Sequence, residues 1–147
     1  MTVEESVLID APIDRVWKTF TDLSCWEEWN SILQDVRSQN DRLAEPGDRF
    51  TCKVRPFSFR IEFESEIEEV VPHRRVVWRG ERFGITGRHS FEFSEEEGGR
   101  VRVTSREGFN GPTTAVAGLL FPWKRIREMT RSLLESLKYE AESLGPI

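Results

Sequence analysis

Cysteine is scarce: Cys25 and Cys52 lie far apart and form no C-x-x-C pair, which excludes a disulfide framework and a zinc ribbon. Nothing before Val3 reads as a secretory leader, so a reduced, cytoplasmic setting is expected. Long apolar runs are missing too. The longest candidate, Ala115 to Trp123, is interrupted by Pro122 and falls short of the roughly 18 residues that a membrane span needs. Basic charge is in deficit, with 26 acidic against 21 basic side chains and a net charge of -5, which opposes binding to nucleic acid. The two histidines, His73 and His89, and the two cysteines have no ligand-like spacing, so no metal is expected. Gly80, Gly84 and Gly87 make no G-x-G-x-x-G; they are assigned to turns and bulges, and no nucleotide or other cofactor follows. Tyrosine is nearly absent as well. One Tyr stands against ten Phe and five Trp, an excess of apolar rings that suits a thick core or the lining of an apolar cavity.

At 147 residues the chain predicts one domain, residues 1–147. Val3 to Ile9 is rich in β-formers and stops at Asp10-Ala11-Pro12, where Asp10 can cap a helix and proline fits its first turn. In the next segment Ile13, Val16, Trp17 and Phe20 share one helical face. Ser24-Cys25-Trp26-Glu27 has the form of a capping box opening a second short helix, with Trp26 and Trp29 one turn apart. From Ile32 to about Phe109 the period becomes two, broken by Gly, Pro and charge clusters, as in an antiparallel meander. Its cleanest member is Phe59 to Ile67, where Phe59, Ile61, Phe63, Ser65 and Ile67 alternate with Arg60, Glu62, Glu64 and Glu66. The acidic row predicts a solvated face. The last 35 residues return to helical spacing, and Pro122 predicts a kink or a separate leading piece, Thr113 to Phe121. Covering the dry face of the meander falls to this long helix, and a cavity between the two is the natural place for an apolar ligand.

Several segments, in this order, resemble the START-like (SRPBCC) helix-grip superfamily, in particular its polyketide cyclase/dehydrase-like branch. They are Ile9-Asp10-Ala11-Pro12-Ile13-Asp14-Arg15-Val16-Trp17, Thr21-Asp22-Leu23 leading to Trp26-Glu27-Glu28-Trp29-Asn30, Gly87 to Phe93, and Gly99 to Thr104 leading to Glu107-Gly108-Phe109-Asn110-Gly111. The resemblance implies an α+β fold with about six to seven antiparallel strands wrapped around a long C-terminal helix, and two short helices after the first strand. It implies binding or carriage of a small hydrophobic molecule, aromatic, polyketide-like or acyl, with a polyketide cyclase-like enzyme as the alternative. Nothing resembles the iron or iron–sulfur motifs of the oxygenase members. The chain is also shorter than a full lipid-transfer START domain.

His89 interrupts the apolar face of its strand and is expected to point inward. A turn at Glu95 to Gly99 that pairs Phe93 with Val101 places His89 opposite Ser105, with Glu107 two residues further along. An inward His and Glu could serve as general base and orienting acid; the plainer reading is a satisfied polar cluster or an anchor that orients a ligand. The candidate catalytic pair is therefore His89 and Glu107. The candidate cavity wall is Trp26, Trp29, Phe59, Phe63, Ser65, Trp78, His89, Phe91, Ser105, Phe109, Leu120 and Trp123, with Glu107 between them. Val76 and Val77 are both apolar, so alternation leaves the side that Trp78 faces open. Gly118 to Arg125 mixes apolar anchors with cations, a pattern compatible with transient membrane contact.

Overall fold

The computed structural model describes residues 2–43, 45–56, 59–82, 84–112 and 122–143. Seven strands form one antiparallel sheet: β1 (Thr2–Ile9), β2 (Gln34–Ser38), β3 (Arg49–Val54), β4 (Ile61–Val71), β5 (Arg75–Arg82), β6 (Ile85–Glu95) and β7 (Val101–Asn110). Their spatial order is β1-β7-β6-β5-β4-β3-β2. Thus β2 to β7 run as a meander and β1 closes the far edge beside β7. Between β1 and β2 lie α1 (Ile13–Thr21), a single 3-10 turn (Leu23–Cys25) and α2 (Trp26–Trp29). The long helix α3 (Trp123–Ser143) has 21 residues, about 31 Å at 1.5 Å per residue. It lays Ile126, Met129, Leu133, Leu134 and Leu137 against the sheet, all buried. This is the helix-grip architecture. No helix among the described residues is long and apolar enough to cross a membrane.

Local chemistry explains the boundaries. Pro12 itself is the N-cap of α1, without a side-chain cap; the Asp10 amide instead donates to Glu142 of α3 at 3.0 Å, so Asp10 does not cap the helix. The capping box fails in the same way. Asp22 Oδ1, not Glu27, accepts from the Ser24 amide at 3.1 Å and from its hydroxyl at 2.5 Å, and Glu27 reaches the Val36 amide at 3.2 Å. Asn30 ends α2 by donating to the Trp26 carbonyl at 2.6 Å while accepting from the Ile32 and Leu33 amides at 3.0 and 2.7 Å. One amide side chain thus turns the chain into β2.

Along β4 a register shift between Ile67 and Glu69 inserts one extra residue, so strict alternation ends there, while Val70 still packs against the core. The acidic row lies outside as expected. Glu64 pairs with Arg49 at 2.7 Å and Glu68 with Arg88 at 2.9 Å, exposed contacts that contribute about 0–1 kcal/mol each.

The β1 edge is closed by α3. Lys138 Nζ donates to the Leu8 carbonyl at 2.7 Å and to Glu142 at 2.6 Å. The same ammonium, with the Asp10 amide, holds the Glu142 carboxyl below its usual range. Lys138→Met keeps the aliphatic stem but loses both bonds. It is expected to cost about 1–2 kcal/mol, read as a lowered midpoint in thermal denaturation.

Candidate functional site

Sheet register assembles the site. Across the inner face one row of directly paired residues runs Ile67, Trp78, His89, Glu107 and Val3. The next row runs Phe50, Ser65, Gly80, Gly87 and Phe109. Between these rows and α3 lies a cavity of about 720 Å³ whose wall includes Phe63, Ser65, Trp78, His89, Glu107 and Phe109. From α3 it receives Ile126, Met129, Thr130 and Leu133, while Glu81 and Arg82 come from the end of β5. The surface is overwhelmingly hydrocarbon and ring.

Six of the residues selected from sequence therefore meet on one wall, and the others part from them for identifiable reasons. Phe59 precedes β4, which starts at Ile61, and leaves the alternation of that strand; it is 59% exposed. Trp26 and Phe91 are fully buried but belong to the core, where Trp26 donates its indole N–H to the Phe20 carbonyl at 2.7 Å and Phe91 stacks on His89 at 4.2 Å. Trp29 is buried away from the cavity wall. Trp123 meets Phe109 edge-on at 5.4 Å without joining the wall. Ser105 is fully buried beyond the wall. Leu120, and the leading piece Thr113 to Phe121, lie outside the described residues.

Trp78 faces inward, which alternation left open. It pairs with His89 and packs on Phe50 and Phe91 at 5.2 and 5.0 Å. The register between β6 and β7 also differs from expectation. β6 runs on to Glu95, which pairs with Val101, so His89 is directly opposite Glu107 and Phe91 opposite Ser105. The shift is two residues, so the facing of every side chain survives.

Gly80 and Gly87 correct the assignment to turns and bulges. They sit in regular ladder positions directly opposite each other, and both line the cavity. Gly84, at φ 73°, is the turn glycine of the three. Gly80 is set by the backbone, since an added Cβ there would come within 3.0 Å of the Glu64 carbonyl, whereas Gly87 has room for one. Both positions leave the cavity wall without a side chain.

The polar groups are few and close together. His89 Nε2 lies 2.6 Å from Ser105 Oγ, and Nδ1 lies 3.4 Å from Glu107 Oε2. Burial pushes the imidazole down to about 3 and the carboxyl up to about 7, because neither charged form finds enough solvation among rings and methylenes. At neutral pH the imidazole is uncharged, and Glu107 exchanges its proton near that pH. With Glu107 protonated, its hydroxyl faces Nδ1 and Nε2–H donates to Ser105; with Glu107 ionised, Nδ1–H faces the carboxylate and the Ser105 hydroxyl donates to Nε2. The Ser–His–Glu row has the order of a nucleophilic triad, but Ser105 does not reach the cavity and cannot meet a substrate there. Cys52 does reach it. Burial raises its thiol to about 12, so it stands as a neutral wall atom and not a thiolate nucleophile. Among the described residues no three His, Cys, Asp or Glu side chains gather as a metal site would require.

Solved structures share this architecture. A hypothetical protein of Helicobacter pylori is 21% identical, covering 97% of this chain and 88% of its own, with a TM-score of 0.78. A START superfamily protein of Mycobacterium smegmatis is 11% identical over 98% of this chain and 99% of its own, with a TM-score of 0.78. The di-domain ARO/CYC BexL of the BE-7585A biosynthetic pathway is 20% identical, covering 97% of this chain and 50% of that one, with a TM-score of 0.72. At these identities the likeness is one of fold. No curated protein sequence matches the chain. The sequence itself matches, over residues 1–142, the family described as polyketide cyclase / dehydrase and lipid transport, and with that match the chain belongs to this family, on a START-like fold.

Proposed function

We propose that the protein binds or carries a small hydrophobic molecule, aromatic, polyketide-like or acyl, in the cavity between the sheet and α3. The observation that carries this reading is the cavity itself: about 720 Å³ walled by Phe63, Trp78, Phe109, Met129 and Leu133. That volume lies within the range of about 300–1,000 Å³ typical of small-molecule sites.

A second reading is favoured by the 3.4 Å contact between His89 and Glu107 at the cavity wall. A cavity-wall carboxyl that exchanges a proton near neutral pH, beside an uncharged imidazole that orients it, fits enolisation and ring closure as in a polyketide cyclase. In that reading Glu107 is the group that takes and returns the substrate proton, His89 orients it through Nδ1, and Ser105 holds the imidazole at Nε2.

Native mass spectrometry of the protein purified from its own host separates occupied from empty cavities without a guess about the ligand. The expected result is one apolar adduct per chain, reduced in a Met129→Trp variant whose larger side chain intrudes on the cavity. A bare mass, together with no uptake of the uncharged probe N-phenyl-1-naphthylamine, would overturn the binding reading. Turnover of the identified adduct, lost in Glu107→Gln while the adduct still binds, would establish the second.

A further inference from the structure

The cavity reaches solvent at one end of the sheet. There β3 runs out at Val54, β4 begins at Ile61, β5 ends at Arg82 and β6 begins at Ile85, and the wall residues Glu81 and Arg82 are exposed. The start of α3 is drawn to the same end, where Arg125 Nε donates to the Arg55 carbonyl at 3.4 Å. Around this opening stand Arg55, Arg60, Arg82, Lys124, Arg125 and Arg127, all exposed, against Glu81 and Glu128; Glu62 is matched by Lys53. In a chain of net charge -5 this end has the opposite sign. On the outer sheet face cations such as Arg49, Arg88 and Arg106 meet carboxylates. Among the described residues Arg55, Arg60, Lys124 and Arg127 form no such ion pair.

The helix makes this placement costly. α3 opens with no acidic residue in its first turn and carries Lys124 and Arg125 there, where the helix dipole favours anions and opposes cations. The basic lip is thus held against local preference. Beside it Phe59, in the β3–β4 connection, is 59% exposed. We infer that the lip docks on an anionic lipid surface, with Phe59 entering the headgroup layer and the cations facing lipid phosphates and carboxylates. Cations around an exposed ring fit a surface that is apolar and anionic at once. Charge alone would serve an acidic protein equally; the exposed ring beside an opening walled by hydrocarbon selects the bilayer. Docking goes beyond the cavity-binding reading and needs no cargo, and it sets the mouth of the cavity against the lipid.

Co-sedimentation with phosphatidylcholine vesicles, with and without phosphatidylserine, tests this. Wild type is expected to bind the phosphatidylserine vesicles and to leave them at high salt, which screens the attraction. Lys124→Glu with Arg127→Glu should weaken binding about thirtyfold, at about fivefold per cation. The same variant should keep or raise the thermal midpoint, because glutamate near the start of α3 suits the dipole. Arg60→Glu, on a different element, should cost about fivefold, and Phe59→Ser about tenfold through the lost ring. Arg74→Glu with Arg100→Glu makes the same change of net charge in the turns at the opposite end and should leave binding within about twofold. No binding, binding indifferent to phosphatidylserine, or equal loss in both double variants would overturn the docking. So would capture by soluble polyglutamate as strong as by vesicles and unaffected by Phe59→Ser, which assigns the lip to an acidic protein. None of these outcomes bears on the adduct or the probe uptake that test the cavity.

Discussion

Trp26→Ala is expected to lower stability by about 3–5 kcal/mol, the usual range for emptying a buried aromatic site. The indole is fully buried among Phe20, Phe50 and Trp78, with ring centroids 5.9, 5.7 and 5.8 Å away. Its N–H holds the Phe20 carbonyl at the end of α1. Truncation therefore opens a hole where α1, α2 and the sheet meet and strands a buried acceptor. Trp26 does not touch the cavity, so Trp26→Phe should lose part of that stability while probe affinity stays within about twofold of wild type. Urea denaturation and probe titration of the two variants check this. Near-native stability in Trp26→Ala, or affinity lost in Trp26→Phe with stability retained, would return Trp26 to the cavity wall.

Glu107→Gln should change how stability depends on pH. The ordinary glutamate value is 4.5, and burial raises it to about 7 in the folded protein. Between those values the folded state keeps a proton that the unfolded state has released, so this contribution is full below 4.5 and lost as pH rises through 7. At 1.36 kcal/mol per pH unit the difference is at most about 3 kcal/mol, an upper bound because the side chain retains 22% exposure. Glutamine carries no such penalty. The variant is therefore expected to gain on wild type by up to that amount between pH 4.5 and pH 8. His89 works in the opposite sense: its value falls from 6.5 to about 3, so its contribution is full above 6.5 and lost as pH falls toward 3. Between 4.5 and 6.5 the folded pair and the unfolded pair each hold one proton, and wild-type stability should be flat with respect to these two groups. Urea midpoints across this range check both features; parallel curves for wild type and Glu107→Gln would contradict the burial of Glu107.

What was legible in the sequence is what short-range periodicity can encode. Alternation in Phe63, Ser65 and Ile67 oriented β4, and helical spacing in Ile126, Leu133 and Leu137 oriented α3. The inward facing of His89 and Glu107 survived an error of two residues in the β6–β7 register because facing repeats every second residue. Long-range register decided the rest. Gly80 and Gly87 look like chain-breakers along the sequence, and only their pairing across β5 and β6 places both on the cavity wall. Trp78 was undecidable within β5, where Val76 and Val77 are both buried; its pairing with His89 and Ile67 decides it. Trp26 and Phe91 are large rings like those of the wall, and composition carries no signal to separate core from cavity. The capping box misled because Asp22, just before Ser24, offers the nearer acceptor.

A titration of the isotope-labelled protein with N-phenyl-1-naphthylamine, followed by amide correlation spectra, tests the central claim most directly. The cavity account expects saturable shifts concentrated at Ser65, Gly80, Gly87, His89 and Glu107 on the sheet and at Met129, Thr130 and Leu133 on α3. Shifts confined to the outer face of the sheet, or no saturable shifts at all, would contradict it.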